Sequence, residues 1–147
     1  MIEIHNDITT DNFYFLLNAA LSNTDGEEDI HVFGDFVVHL NESESSHLED
    51  IFQSAHSLIV DGYCDFSNSS IRKLPDVIRC YSLDLSSTLV SDLPRFLNVH
   101  DLYILNTNVL YIPRESLIDK ITVENWNIAN DMAYHNPYVH DKFIAWY

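Results

Sequence analysis

Prolines recur in this chain at a spacing that leaves few folds open. Pro75, Pro94 and Pro113 are each nineteen residues apart, and they close three segments of like design: LIVDGYCDFSNSSIRKLP, DVIRCYSLDLSSTLVSDLP and RFLNVHDLYILNTNVLYIP. The agreement extends well beyond the prolines. Four residues before them stand Ile71, Val90 and Val109, and one before stand Leu74, Leu93 and Ile112. Nine before stand Phe66, Leu85 and Ile104; eleven before stand Cys64, Leu83 and Leu102. Apolar residues two apart share one face of a strand. A turn then brings the later pair back to the same core, and each proline, lacking an N–H, interrupts the ladder and starts the return limb. One copy cannot bury its own apolar side, but stacked copies cover each other. The expected fold is an α/β solenoid whose short strands form a parallel sheet.

The period persists past its last proline. Nineteen residues onward lie Ile121, Val123 and Ile128, a fourth copy without the proline. Backward, Val32 to Val38 aligns with Val60 to Phe66 at an interval of 28, the excess being taken up by an intervening helix. The array therefore holds about five strand-bearing units. A second column, Asn68, Ser87, Asn106 and Asn125 beside Ser69, Thr88 and Thr107, offers small polar side chains to the turn backbone. The chain reads as one domain, with an N-terminal cap carrying a helix (1–29), the repeat array (30–128) and a C-terminal cap (129–147).

Ahead of the array, Ile2 and Ile4 suggest a short strand within Met1 to His5. Thr9, Thr10 and Asp11 offer an N-cap to FYFLLNAAL, whose Phe13, Leu16, Leu17, Ala20 and Leu21 recur at helical spacing. Asn23 to Asp29 reads as a loop and Ile30 to Leu40 as a strand rich in β-branched and aromatic residues. Asn41 to Ser45 reads as a polar link, after which Ser46 and Glu49 form an S-x-x-E capping box for a short helix ending near His56.

The segments SLDLSSTLVSDLP and DLYILNTNVLYIP resemble leucine-rich repeats of the short variety with a core like LxLxxTxIxxLP, as in phage and bacterial hypothetical proteins. The resemblance spans Val32 to Ile128 loosely and Leu58 to Pro113 well. Departures from the pattern include Cys64 and Phe66 in place of leucines, Tyr81 and His100 where Gly34 and Gly62 stand earlier, and Ser86 where Leu105 stands later. The resemblance implies protein binding on the strand face; it implies no catalytic residue and no cofactor.

Charge narrows the partner. The formal net charge is −16, and fourteen acidic residues, among them Asp25, Glu27, Glu28, Asp29, Glu42, Glu44, Glu49 and Asp50, precede Arg72, the first Lys or Arg. A field of that sign repels nucleic acid and anionic lipid and attracts basic surfaces. If Leu83 and Leu85 point inward, then Ser82, Asp84 and Ser86 point outward. The matching outward sets are Asp35, Val37 and His39; Tyr63, Asp65 and Ser67; Asp101, Tyr103 and Leu105; Lys120, Thr122 and Glu124. With strands about 4.8 Å apart, Asp65 lies beside Asp84 with Tyr103 next, and Tyr63 approaches Asp101 across Ser82. Carboxylates interleaved with tyrosines suit Arg or Lys side chains. The candidate binding residues are thus Tyr63, Asp65, Asp84, Asp101 and Tyr103. The alternative is a solvated sheet face whose acidity serves only solubility.

The remaining features point away from chemistry. No GxSxG context, Gly-rich phosphate loop or Cys/His metal spacing is present, and His135 and His140, with Asp131 and Asp141, fix no third ligand. Arg95 and Arg114, each following a repeat proline, and Arg72, Lys73 and Arg79 are expected to pair with local carboxylates. No apolar run reaches the roughly 20 residues of a membrane span, and the acidic N-terminus lacks a signal segment. A cytoplasmic address with reduced cysteines is expected, in the host if the protein is viral. The tail beyond Trp126, with Tyr134, Tyr138, Phe143, Trp146 and Tyr147, is expected to cap the open end with its aromatics. The functional expectation is a non-catalytic module, without metal or cofactor, that binds a basic protein surface. Two alternatives stand beside it: a nucleic-acid mimic that inhibits a nucleic-acid-binding defence protein, and a structural protein that self-associates.

Overall fold

The computed structural model describes residues 1–22 and 28–146. Its elements run β1 (Ile2–Ile4), β2 (Ile8–Thr9), α1 (Phe13–Leu21), β3 (Glu28–Val32), β4 (Phe36–Val37), α2 (Glu42–Gln53), β5 (Ala55–Val60) and β6 (Tyr63–Asp65). Then follow β7 (Val77–Asp84), β8 (Phe96–Tyr103), β9 (Leu117–Val123), α3 (Trp126–His135), a 3-10 segment (Pro137–Lys142) and β10 (Phe143–Ala145). The molecule is an α/β fold on one open ten-stranded sheet, and its ladders are parallel. Among the described residues no helix is long and apolar enough to cross a membrane.

Register explains the sequence period. Ile8, Phe36, Cys64, Leu83, Leu102, Ile121 and Phe143 stand in one row across the sheet. Every member of that row is buried. The steps along it are 28, 28, 19, 19, 19 and 22 residues. Where the return limb is a helix, α1 or α2, a step takes 28 residues; where it is an extended segment ending at Pro75, Pro94 or Pro113, nineteen suffice. The expected array of five units is therefore too short. A rung before it and a rung after it escape a fixed-period search because their return paths differ in length.

Each of the early rungs is two strands meeting at a corner, β1 with β2, β3 with β4 and β5 with β6, whereas β7, β8 and β9 run through the corner unbroken. The strand expected over Ile30 to Leu40 is accordingly split, and Glu28 and Asp29, expected in a loop, begin it; residues 23–27 of that loop lie outside the described residues. The corner explains two glycines. Asp7 Oδ1 accepts from the Asp35 amide, and Asp35 Oδ1 accepts from the Tyr63 amide, each at 2.9 Å. A Cβ on Gly34 would stand 2.4 Å from Asp7 Oδ1, and one on Gly62 2.0 Å from Asp35 Oδ1. Tyr63 holds the next place in that row and offers no carboxylate to the rung after it, so Tyr81 can stand where glycine was needed before.

Caps sit elsewhere than expected. The N-cap of helix α2 stands five residues before the S-x-x-E motif: Asn41 Oδ1 accepts from the Glu44 amide at 2.9 Å, and Glu44 Oε1 accepts from the Asn41 amide at 3.1 Å. Glu49 faces the return limb instead, where its Oε2 accepts from the amides of Arg72 and Lys73, each at 2.9 Å. For α1 the N-cap position is Asn12, whose Oδ1 is taken by the Thr9 amide at 2.7 Å. Thr9 itself belongs to β2.

The polar columns divide two tasks. Asn68, Ser87 and Asn106 take φ of 57°, 56° and 53°, the left-handed turn that follows each strand. Asn tolerates this conformation because its short side chain bonds locally. Two neighbouring hydroxyls close their turns, Thr88 donating to Leu85 O at 2.7 Å and Thr107 to Ile104 O at 3.1 Å, whereas Ser69 Oγ accepts from the Leu40 amide of the preceding rung at 2.8 Å. Asn125 departs from the column. Its backbone is extended, and its side chain accepts from the Ile128 amide at 3.0 Å to start α3.

Of the expected aromatics among the described residues, only Phe143 is buried at the C-terminal end. Trp126, Tyr134, Tyr138 and Trp146 remain exposed, Tyr134 at 82%, while Ala129, Met132, Val139 and Phe143 are buried; Tyr147 lies outside the described residues. The polar plug is Asn136, fully buried. Its side chain accepts from the Ile112 amide at 2.8 Å and donates to Leu110 O at 3.0 Å and Met132 O at 2.9 Å. One side chain thus supplies the bonds that a further backbone rung would have made.

Two stability measurements check this account. Asn136→Ala removes the partner of the buried Ile112 amide and of the part-buried Leu110 carbonyl, and is expected to lower urea-unfolding stability by about 2–4 kcal/mol; a loss within experimental error contradicts the plug. Gly62→Ala is expected to cost about 1–3 kcal/mol through crowding at Asp35. The same change made on an Asp35→Ala background should cost distinctly less, and additive costs would contradict the pairing.

Candidate functional site

The five candidate residues occupy two adjacent rows on the outward side of the second limb, the strand stretch that follows the corner (β2, β4, β6 and the ends of β7 to β9), the first limb being the stretch that precedes it. Tyr63, Ser82, Asp101 and Lys120 are consecutive partners across β6 to β9, and so are Asp65, Asp84, Tyr103 and Thr122. Alternation along each strand places these side chains outward while Cys64, Leu83, Leu102 and Ile121 point to the core. Tyr63 is 56% exposed; Asp65, Asp84, Asp101 and Tyr103 are partly buried.

Asp65 and Asp84 repeat one local geometry. Asp65 Oδ1 accepts from the Ser67 amide at 2.8 Å, and Asp84 Oδ1 accepts from the Ser86 amide at 2.9 Å. Each bond tethers the carboxylate over the turn that follows its strand. Burial raises the Asp84 carboxyl above its ordinary 3.8; the bonds from Ser86 pull it down, neighbouring Asp65 pushes it up, and His39 lowers it. Tyr103 is likewise raised, first by burial and then by Asp101, Asp84, Tyr81 and Tyr63. The face thus holds negative charge against its own repulsion and desolvation.

A second cluster joins these rows at the corner. Tyr63 meets Tyr81 edge-on with centroids 5.9 Å apart, and Tyr81 stacks on His100 at 5.1 Å with 5° between planes. His100 reaches Asp101 Oδ1 at 3.2 Å and Asp119 Oδ2 at 3.4 Å. Tyr81, His100 and Asp119 belong to the surroundings of the site but were missed in the sequence. Their signal was present as the departure from glycine at positions 81 and 100.

The expectation that the basic residues pair with local carboxylates is not met. Among the described residues, ion pairs run through histidines and the N-terminal ammonium alone, as in His31 with Asp61 at 2.6 Å and Met1 N with Glu28 at 3.9 Å. Lys120 is the register partner of Asp101 yet forms no ion pair with it. Arg114 instead lies over the Tyr138 ring, 5.7 Å from its centroid. Long side chains hold an exposed pair against considerable rotamer entropy, and the gain in water is small.

The described residues contain no group of three His, Cys, Asp or Glu side chains that could hold a metal. His135 Nδ1 bonds Asp131 O and His140 Nδ1 bonds Pro137 O, each at 2.8 Å, so both rings are engaged locally. No protein-family model, curated protein or solved structure matches the chain.

The raised Asp84 carboxyl gives a test with a defined sign. Folding binds the Asp84 proton more tightly than the unfolded chain does, so stability from this residue falls as pH rises from 3.8 through the folded value. Asp84→Asn keeps the acceptor for Ser86 and removes the charge. The variant is expected to resist urea better than the parent near neutral pH and to match it below pH 3.8. A variant less stable at neutral pH would show that the charge supports the fold.

Proposed function

We propose that this chain is a short leucine-rich-repeat-like solenoid that acts as a non-catalytic binding module. Its outward second-limb face engages a basic protein surface. The observation that carries this reading is the in-register placement of Asp65 beside Asp84, with Tyr103 next and Asp101 and Tyr63 in the adjoining row. Like charges about 4.8 Å apart repel. An arriving Arg or Lys relieves that repulsion, and the tyrosines beside it offer ring faces to the same cation. Ser86 and His39 favour the Asp84 charge, yet they do not offset its burial, so its energetic cost is better matched by binding than by folding.

A second reading draws on a separate observation. Fourteen acidic residues precede the first Lys or Arg, and no Lys or Arg of the described residues neutralises a carboxylate within the chain. An uncompensated negative field of that extent supports imitation of a nucleic-acid backbone in the basic groove of a nucleic-acid-binding protein, in the manner of an inhibitor of a defence nuclease.

Salt-graded elution of a captured partner tests the first reading. The partner is expected to carry a basic surface and to leave the protein as ionic strength rises. Asp65→Asn, Asp84→Asn and Tyr103→Ala are each expected to weaken binding by about 1–2 kcal/mol without loss of fold. A partner retained in high salt, or bound equally by all three variants, contradicts it. Competition by duplex DNA for the captured partner would favour the mimicry reading.

A further inference from the structure

The outward side of the first limb is a surface of its own. Glu3, His31, Ile59, Arg79, Asn98 and Leu117 are consecutive partners across β1, β3, β5, β7, β8 and β9. None of them is buried, while Ile30, Leu58, Ile78 and Leu97, the row one residue earlier, face the core. Two open cavities of about 560 and 510 Å³ adjoin on this surface and share Tyr81 and Asn98.

The two cavities repeat one composition. The first holds His31, Asp61 and Arg79; the second holds His100, Asp119 and Lys142. In each, the histidine is tied to the carboxylate: His31 Nε2 lies 2.6 Å from Asp61 Oδ1, and His100 Nε2 lies 3.4 Å from Asp119 Oδ2. Neither Arg79 nor Lys142 forms an ion pair among the described residues. Met1 also lines the first cavity, with its ammonium on Glu28 at 3.9 Å. Each cavity therefore carries one aspartate and one Arg or Lys, a local balance in a chain of net charge −16. Between them stands Tyr81, half exposed. The second cavity has a further mark. Among the described residues, two buried side-chain atoms lack a hydrogen-bond partner, His100 Nδ1 and Ser116 Oγ, and both residues line it. Nδ1 lies 3.2 Å from Asp101 Oδ1, but the two are not aligned as a hydrogen bond.

We propose that the first-limb face binds a neutral oligosaccharide laid across the strands. A sugar ring has an apolar C–H face and a rim of hydroxyls, each of which donates and accepts. The Tyr81 ring suits the first. The rim finds donors in Arg79 and Lys142, acceptors in Asp61 and Asp119, and both in Asn98. A hydroxyl also supplies what Ser116 Oγ and His100 Nδ1 lack. Charge selects a neutral ligand. An anionic chain meets the field of the whole protein, and a cationic one finds each carboxylate already on a histidine and accompanied by an Arg or Lys. Repetition selects a chain of like units: Asp61 and Asp119 are three rungs apart, about 14 Å at 4.8 Å per rung. This face is separate from the second-limb rows assigned above to a basic partner, and Tyr81 stands at the corner between the two.

Titration of the isotope-labelled full chain with the hexasaccharides of cellulose, amylose and chitin, followed by amide chemical shifts, tests the site. At least one is expected to bind, to shift the amides of Arg79, Tyr81, Asn98 and Leu117, and to keep its affinity as salt rises. Tyr81→Ala removes the ring and Arg79→Gln the guanidinium; each is expected to weaken binding about tenfold. Both side chains are exposed. Circular dichroism confirms that each variant is folded, and Arg79→Gln decides the matter if Tyr81→Ala is not. Absence of shifts with all the hexasaccharides at millimolar concentration would overturn the proposal. So would shifts confined to the second limb, binding unchanged in the folded variants, or tighter binding of an acidic polymer such as polygalacturonate.

Discussion

Everything in this structure depends on inward side chains standing over one another across a parallel ladder. Ile8, Phe36, Cys64, Leu83, Leu102, Ile121 and Phe143 form one such row, and each is buried chiefly by its neighbours in the row and by the return limbs behind it. No rung is stable alone, because a strand of two to eight residues cannot cover its own apolar side. Register is therefore set by burial: a slip of one residue would turn every core side chain to water. The same alternation that buries Leu83 presents Ser82 and Asp84 outward. Core and candidate face are two sides of one constraint.

That constraint tolerates variation in the path between rungs. The return limb can be a helix, as in α1 and α2, or an extended segment closed by proline, and the interval changes from 28 to 19 residues accordingly. At the corner, Asp7 and Asp35 each hold an amide of the following rung, and Gly34 and Gly62 make room for them. Once the row changes to Tyr63, the glycine is released and an aromatic ring takes its place. Tyr81 and His100 then begin a stack on the surface. The corner thereby changes from a backbone device to a surface feature within one rung.

Legibility in the sequence followed the same division. Inward positions from Cys64 to Val123 could be named in advance because burial repeats at a fixed interval, and outward partners followed from alternation. The strand at Ile2–Ile4 was legible from its alternation, but its place in the ladder and the strands at Ile8–Thr9 and Phe143–Ala145 were not, because their spacing to the array differs from nineteen. The S-x-x-E motif at Ser46 pointed to the wrong cap, since Asn41 and Glu44 form the box and Glu49 is drawn to the amides of Arg72 and Lys73. The aromatics of the tail suggested a cap by size alone. The actual closure at Asn136 rests on three hydrogen bonds that no residue pattern announces. Of the site, the five residues came from alternation, whereas Tyr81, His100 and Asp119 lie at the corner, where alternation breaks.

The central claim is that the outward rows of the second limb are where a basic partner sits. Backbone amide chemical shifts of the isotope-labelled protein, followed during titration with a captured basic partner, test it most directly. Perturbations centred on Tyr63, Asp65, Asp84, Asp101 and Tyr103, and fading as salt is added, are the predicted result. Perturbations confined to the first limb or to the helix over Trp126–His135, unaffected by salt, would contradict it.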